Sequence, residues 1–356
     1  MPDFNLSPEE ILREKEIRGG IKYDDPDDLN LEPVQPELDP NLNIYEERVQ
    51  DQKSENPRIE EKSIQPVPTP EFREQAPLDL GWKNLPLGML PSKGLFYPEN
   101  SRIAIRSAEV KEIRQFSMID EDDMLDIDQK LNLVLDACCT IKFGDSDSVV
   151  SYKDLKQEDR FFVIMAIRDL TFVKGENRII LDGSNNCLTK GCRGMEAIEL
   201  RTGVLSNYDL DDNLMKFYSF QERKFVFPIR RIGKTIKMTV PSIGVTKAIS
   251  DFVRNSVRRG EDLDQSFIKI APFYFQDWRG LDDFKIKEAM VSSAQEWTKE
   301  EFSAYFELAE KIKVGTKLKS RVKCDTCGEG EVTAPIYFPG GFRSLFVISD
   351  IFRELF

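Results

Sequence analysis

The chain has 356 residues, a formal net charge of −13 and no histidine, and this length suffices for one or two domains. The absence of histidine excludes histidine-based acid–base catalysis, Ser-His and Cys-His nucleophile pairs, and imidazole metal ligands. Six cysteines in a chain of this length do not make a disulfide scaffold. Any chemical site must therefore be built from Cys, Asp, Glu or Lys.

The acidity belongs to the first 80 residues. Residues 1–80 carry 9 Lys or Arg, 21 Asp or Glu and 11 of the 19 prolines, whereas residues 81–356 have a net charge of −1. Such a segment buries too little apolar surface to offset its ordering entropy, which predicts a disordered acidic arm. Ser7, Pro8 and Glu10 form a capping-box pattern that predicts a short helix near residues 8–18. This helix is expected either to fray or to fold on a partner.

The rest of the chain predicts an α+β fold, with a folded body over residues 81–340. Its N-terminal part is expected to be mainly helical. In chain order, the patterns predict a packed loop at 87–98, a strand at 102–106, and helices at 108–116, 126–140 and 154–171. Ser107 is the expected N-cap of the first helix. The acidic run 119–127 is expected to load the N-terminus of the second helix with negative charge, which the helix dipole favours.

The second part of the body is expected to mix strands and helices. Its predicted strands are 178–181, 195–200, 224–229, 235–240, 317–323 and 331–338, and its predicted helices are 243–259, 264–275, 284–293 and 298–313. Residues 341–356 form an apolar tail, with a helix expected over 342–355. That tail needs cover from the body itself or from a partner, and the sequence leaves both open.

Two cysteine pairs carry the strongest chemical signal. Cys187 and Cys192 form a Cys-x₄-Cys pair in a turn between two predicted strands, and Cys324 and Cys327 form a Cys-x₂-Cys-Gly pair between two others. Both spacings are typical of zinc half-sites, and together they predict one Cys₄ zinc that closes the body in the manner of a zinc ribbon. Four thiolates leave no open position for water or substrate, so this zinc would be structural.

The alternatives for the cysteines are a redox dithiol and free thiols. Cys324 and Cys327 have redox spacing, but no βαβ pattern precedes them. The adjacent Cys138 and Cys139 cannot easily ligate one metal from consecutive helix positions, and we interpret them as small buried apolar residues.

Several motifs occur in a fixed order along the body: Leu90-Pro-Ser-Lys-Gly94 with Phe96-Tyr97, the strand Ile103–Arg106, the helix ending Ala166-Ile-Arg-Asp-Leu-Thr-Phe172, the two cysteine pairs, and Ala334-Pro-Ile-Tyr-Phe-Pro339. This order resembles the baseplate hub assembly proteins, or hub assembly chaperones, of T-even-like contractile-tail bacteriophages. The resemblance covers roughly residues 81–340. The first pair departs from it, since the family more often has Cys-x₂-Cys there, and the arm and tail are extensions.

The resemblance implies a phage morphogenesis protein without catalysis. Such a protein would bind baseplate hub or tape-measure components and hold them ready for assembly. It would act in the host cytoplasm and then either leave or stay in the virion tail baseplate. Which hub protein it would bind, and whether it forms an oligomer, stay open.

Two other functions stay open from the residues alone. A zinc-ribbon nucleic-acid module is supported by Lys317, Lys319, Arg321 and Lys323 beside the second cysteine pair, together with Arg230-Arg231 and Arg258-Arg259, although the near-neutral body disfavours it. A thiol redox or hydrolase enzyme is the third hypothesis, and no carboxylate pair at a defensible spacing supports it. No apolar run approaches the roughly 20 residues that span a bilayer, and no signal peptide is evident, so we expect a soluble protein from a reducing compartment.

Overall fold

A computed structural model describes residues 81–144, 148–173, 177–181, 186–195, 197–231, 233–338 and 341–347. The predicted acidic arm, its helix near 8–18 and the end of the tail lie outside the described residues. The chain divides into two units after Phe72, and all described residues belong to the second unit. Their fold is mixed α+β, as the sequence predicts. None of their helices is both long and apolar enough to cross a bilayer.

Eight α-helices occur in the described residues. They are α1 (Val110–Ser117), α2 (Met124–Cys138), α3 (Arg160–Thr171), α4 (Asp212–Met215), α5 (Ile243–Arg258), α6 (Gln265–Tyr274), α7 (Asp283–Glu296) and α8 (Lys299–Lys311). The strands are β1 (Lys83–Leu85), β2 (Arg102–Ile105), β3 (Cys139–Lys142), β4 (Val149–Val150), β5 (Ile180–Leu181), β6 (Ile198–Glu199), β7 (Leu205–Asn207), β8 (Tyr218–Ser219), β9 (Lys224–Ile229), β10 (Lys234–Met238), β11 (Thr316–Lys323) and β12 (Glu331–Pro335).

All strand pairs are antiparallel. The sheets are β1-β2-β3-β4, β8-β9-β10, β7-β11-β12 and the two-stranded β5-β6. The first sheet packs with α1, α2 and α3 around the largest apolar core. A second core joins β8-β9-β10 to α6 and α8, and a third lies among α5, α6 and α7.

The N-terminal part carries more sheet than its sequence suggests. Helix α2 stops at Cys138, and Cys139 begins β3 instead of continuing the helix to residue 140. Cys139 pairs with Ile105 and Ile141 with Ile103 across β2. The β-branched Thr140 and Ile141 favour this extended conformation. Cys138 and Cys139 are both buried in the core, as we interpreted them.

Two helix starts differ from the expectation. Glu109, not Ser107, caps α1, because its side chain accepts from the backbone of the first turn while Glu112 accepts from the Glu109 N–H. Helix α3 begins at Arg160, later than residue 154, because two 3₁₀ turns, Tyr152–Asp154 and Gln157–Asp159, precede it. The acidic run does lead into α2, whose N-cap is Asp123.

The packed loop at 87–98 is held by one buried carboxylate. Asp159 accepts from the Ser92 N–H at 2.8 Å, the Ser92 hydroxyl at 2.6 Å and the Tyr97 hydroxyl at 2.8 Å. The Tyr97 hydroxyl also accepts from the Lys156 N–H at 3.0 Å. All three anchoring residues are fully buried. We call Ser92, Tyr97 and Asp159 the Asp159 junction, and it fixes this loop to the start of α3.

The beginning of the apolar tail packs on the body. Residues Phe342–Leu345 form a 3₁₀ turn, and Leu345 and Phe346 are buried. The Phe346 ring lies edge-on to Phe116 of α1, with 5.1 Å between the ring centroids. The body therefore covers these two side chains. The α-helix expected over 342–355 is not formed in its described part, where the 3₁₀ turn ends at Leu345, and residues from 348 onwards lie outside the described residues.

Candidate metal centre

Each cysteine pair lies in a turn that two extended segments bring together. In the first turn, the Cys187 N–H donates to the Gly194 carbonyl at 2.9 Å, and Asn186 pairs with Met195. In the second turn, between β11 and β12, the Cys324 N–H donates to the Gly330 carbonyl at 2.8 Å. The strand, cysteine turn, strand order expected from the sequence is therefore present twice.

The structure brings the four predicted ligands, Cys187, Cys192, Cys324 and Cys327, to one place. Their Sγ atoms all lie within 4.8 Å of one another. Sγ of Cys187 is 3.7 Å from Sγ of Cys327, and Sγ of Cys192 is 3.8 Å from Sγ of Cys324. A tetrahedral ion with metal–sulfur bonds of about 2.3 Å separates its sulfurs by about 3.8 Å. The four thiols are therefore close enough together to hold a metal ion.

Backbone N–H groups point at the sulfurs, as a thiolate site requires. The Thr189 N–H donates to Cys187 Sγ at 3.4 Å and the Gly194 N–H to Cys192 Sγ at 3.3 Å. The Gly330 N–H donates to Cys327 Sγ at 3.2 Å. These donors stabilise negative charge on sulfur, because a hydrogen bond to the charged form favours ionisation.

The pKa values show how unevenly the metal-free cluster would ionise. The N–H groups of Glu329 and Gly330 lower the pKa of the Cys327 thiol to about 6. The Gly194 N–H lowers the pKa of Cys192, but burial and the three neighbouring thiols outweigh it and raise that pKa to about 12. Four thiolates this close repel one another, so full ionisation needs a cation among them.

Two glycines fit the site so closely that a side chain at either position would displace a neighbouring sulfur or threonine. A Cβ on Gly194 would lie 2.5 Å from Cys324 Sγ, and one on Gly330 would lie 2.5 Å from Cys187 Sγ. Each glycine thus belongs to one turn and touches a sulfur of the other. Sequence reasoning missed both. The available signal was a glycine two or three positions after the second cysteine of each pair, at Cys192-Arg-Gly194 and Cys327-Gly-Glu-Gly330.

Main-chain contacts also join the two halves. The Leu188 N–H donates to the Glu331 carbonyl at 2.9 Å, and Cys187 forms a bridge with Val332 of β12. Cys187 and Cys324 are buried, while Cys192 and Cys327 are half-buried. The centre therefore lies at the edge of the largest core and is aligned by a short stretch of sheet as well as by its sulfurs.

Cys138 and Cys139 take no part in this centre. Burial raises the pKa of the Cys138 thiol to about 11 and that of the Cys139 thiol to about 12. Both thiols therefore stay protonated near neutral pH and behave as apolar core groups.

The fold and the site define a mixed α+β protein with a four-cysteine centre that can hold a metal ion. No protein-family model, curated protein or solved structure matches the chain. The function must therefore be argued from the residues and the geometry.

Proposed function

We propose that this protein is a non-enzymatic assembly factor of a contractile phage tail, with a structural zinc at Cys187, Cys192, Cys324 and Cys327. The observation that carries the proposal is the arrangement of four sulfurs, from halves of the chain 132 residues apart, at the spacing of a tetrahedral thiolate site. Zinc fits best, because it accepts four thiolates in this geometry and has no redox chemistry of its own.

The donor set supports a structural role for the ion. All four positions are taken by thiolates, so no ligand site is left for water or substrate. The chain has no histidine to act as a proton carrier near the centre. Such a centre fixes the shape of a surface on which partners bind.

The phage assignment rests on the motif order that resembles hub assembly proteins, and the structure gives one of those motifs a physical role. The Ser92 and Tyr97 of that loop motif are the groups that donate to Asp159. On this proposal the partners are baseplate hub or tape-measure proteins. The place of action is the host cytoplasm during assembly, with retention in the virion baseplate open.

The nucleic-acid alternative draws on one feature of β11. Lys317, Lys319, Arg321 and Lys323 lie along this strand, but a register shift between Thr316 and Ser320 interrupts its alternation, so the four do not form one regular face. In addition, Arg321 pairs with Glu331 at 3.4 Å, and the Lys317 ammonium lies over the Tyr208 ring. Two exposed lysines are a small electrostatic footprint compared with the six to ten phosphate contacts of typical DNA-binding proteins.

The test is co-expression of the full chain with hub and tape-measure proteins encoded in the same phage genome. We expect co-purification with one of them and a single zinc per chain by native mass spectrometry. The Cys187→Ser, Cys324→Ser double variant should lose both the zinc and the partner. If the metal-free double variant still bound the partner, the assembly role would not depend on the zinc site. Capture of none of these proteins would contradict the assembly role.

A further inference from the structure

Outside the cysteine centre, the described residues enclose a cavity of about 610 Å³. One wall comes from the 87–98 loop and the segment after β3, and the other from the β8–β9 turn and the segment between α6 and α7. Four aromatic side chains line it: Phe96, Phe143, Phe220 and Trp278. This volume is within the range of small-ligand sites, which combine apolar walls with a few fixed polar groups.

Three of the four carboxylates in the wall already have partners. Asp154 is buried and accepts from the Trp278 indole N–H at 3.0 Å and from the Arg279 guanidinium at 2.7 Å. Arg279 also pairs with Asp277 at 3.1 Å. Glu222 accepts from the ammonium group of Lys237 at 2.8 Å and pairs with a second lysine, Lys224. The fourth, Glu99, is exposed at the rim.

Two cations of the wall, in contrast, have no carboxylate partner. Among the described residues, no carboxylate lies within 4 Å of the Lys156 ammonium group or the Arg223 guanidinium group. The Lys156 side chain is largely buried, and this burial lowers its pKa to about 8, although the charges of Asp159 and Asp154 oppose the shift. Asp159 and Asp154 act on the Lys156 ammonium group only from beyond 4 Å, so an anion in the cavity would be the first counter-ion in contact with it.

The backbone conformation of Arg223 also indicates a binding site in this cavity. Arg223 has a φ of 54°, in the left-handed region, at the turn between β8 and β9. Glycine or asparagine adopts this conformation with less strain, and strained positions held by other residues concentrate at binding sites. The turn thus retains an arginine, at a conformational cost, at a position that lines the cavity and from which its side chain interacts with the Tyr218 hydroxyl.

We propose that this cavity binds an organic anion, a carboxylate carried on an aromatic or aliphatic body. Lys156 supplies the buried counter-charge and Arg223 a second cation. The rings of Phe96, Phe143 and Trp278 receive the apolar body. The carboxylate has two sources, a free small molecule or the C-terminal residue of a peptide. This inference does not rest on the proposed assembly role.

The test is calorimetric titration of the full chain with three named probes. They are N-acetyl-phenylalanine, its neutral amide, and an acetylated Gly-Gly-Gly-Leu-Phe peptide with a free carboxylate. We expect both acids to bind at least about tenfold more tightly than the amide. Tighter binding of the peptide assigns the site to a peptide terminus, and equal binding of the two acids assigns it to a small molecule.

The variant that tests the mechanism is Lys156→Met, with Lys83→Met on exposed β1 as the matched control. Lys156→Met should weaken binding of the acids about tenfold or more and should raise the melting temperature, because it removes a buried charge. Lys83→Met should change neither quantity. Equal affinity for acid and amide, no binding of either acid at about 5 mM, or full binding by folded Lys156→Met would overturn the proposal.

Discussion

The cysteine centre and the Asp159 junction both fasten distant parts of the chain, and they do so by different chemistry. At the cysteine centre the fastening groups are 140 and 132 residues apart and are thiols that repel one another once ionised. At the Asp159 junction they are 62 and 67 residues apart, and one carboxylate accepts three hydrogen bonds. The first junction depends on a cation from outside, and the second is complete within the chain.

This difference indicates which of the two sites, the cysteine centre or the Asp159 junction, can regulate the stability of the body. The Asp159 junction forms whenever the loop folds, since its donors are supplied by Ser92 and Tyr97. A metal ion held at the cysteine centre would offset the repulsion among its thiolates, so this fastening can respond to metal supply. Cys187, Cys324 and Val332 share one apolar core with the N-terminal sheet and helices, so loss of the metal should be felt there as well. Each of the following experiments breaks one junction and leaves the other intact.

The largest effect is expected from the ligands themselves. Cys187→Ser or Cys324→Ser should remove the metal. Metal binding contributes about 10–16 kcal/mol in zinc-finger peptides, more than the usual total stability of about 5–15 kcal/mol. Thermal unfolding with metal analysis should show loss of the cooperative transition that involves β11 and β12. The control is Cys138→Ala, which should cost about 1 kcal/mol and keep the metal. An unfolding curve that strong chelators leave unchanged would contradict this role.

The next largest effect is expected at the Asp159 junction. Asp159→Asn keeps the shape but replaces one acceptor oxygen by a donor, so that a hydroxyl or N–H of Ser92 or Tyr97 loses its partner. We expect a loss of about 2–4 kcal/mol in the free energy of unfolding, with metal content unchanged. Urea denaturation measures it. Asp209→Asn is the matched control, because Asp209 is exposed and pairs with Lys93 of the same loop at 3.3 Å. If both variants lost the same small amount of unfolding free energy, the hydrogen bonds of Asp159 would not hold the loop in place.

A smaller effect is expected from the glycines that touch the sulfurs. Gly330→Ala places a methyl group against Cys187 Sγ and Thr189 Oγ1, and should weaken metal affinity about 10- to 100-fold. Competition with a metal-binding dye gives the affinity. Gly203→Ala is the control, since a Cβ there meets no atom within 4 Å. Equal affinity in the two variants would mean that the turns do not need this close approach.

The smallest effect is a pH dependence near the Asp159 junction. Burial, with help from the charge of Asp159, raises the pKa of Glu158 from 4.5 to about 7. Between these values the folded protein holds a proton that the unfolded chain has released, so stability falls as the pH rises from about 4.5 to about 7. Glu158→Gln should remove about 2 kcal/mol of this fall, measured by urea denaturation at pH 5 and pH 8. Glu307→Gln, at an exposed position, should leave the fall in unfolding free energy between pH 5 and pH 8 unchanged. If Glu158→Gln showed the same fall as the unsubstituted protein, a group other than Glu158 would be its cause.

The sequence predicts the helices and the ligand set better than it predicts packing. Amphipathic periodicity and capping residues locate α5 to α8 to within a few residues, because these signals are local. The spacing of the four cysteines predicts a candidate ligand set that the structure brings together, because tight turns impose that spacing. Asp159 and Gly330 have no such local signal. Asp159 looks like one more polar residue in the predicted helix 154–171, and its role depends on a loop 62 to 67 residues earlier. The cavity also lacks a local signal, because only the folded structure shows that Lys156 and Arg223 line it without a carboxylate in contact.

The wide separation of the two cysteine turns also has a consequence in time. Cys192 and Cys324 are 132 residues apart, so at 5–20 residues per second the ribosome needs about 7–26 s to supply the second turn. During this interval the first two thiols exist without their partners. They must stay reduced, and a metal ion can bind there only loosely or with ligands borrowed from elsewhere. Closure of a metal site at this centre must therefore follow synthesis of the second turn, and chains cut short before residue 327 could not complete it.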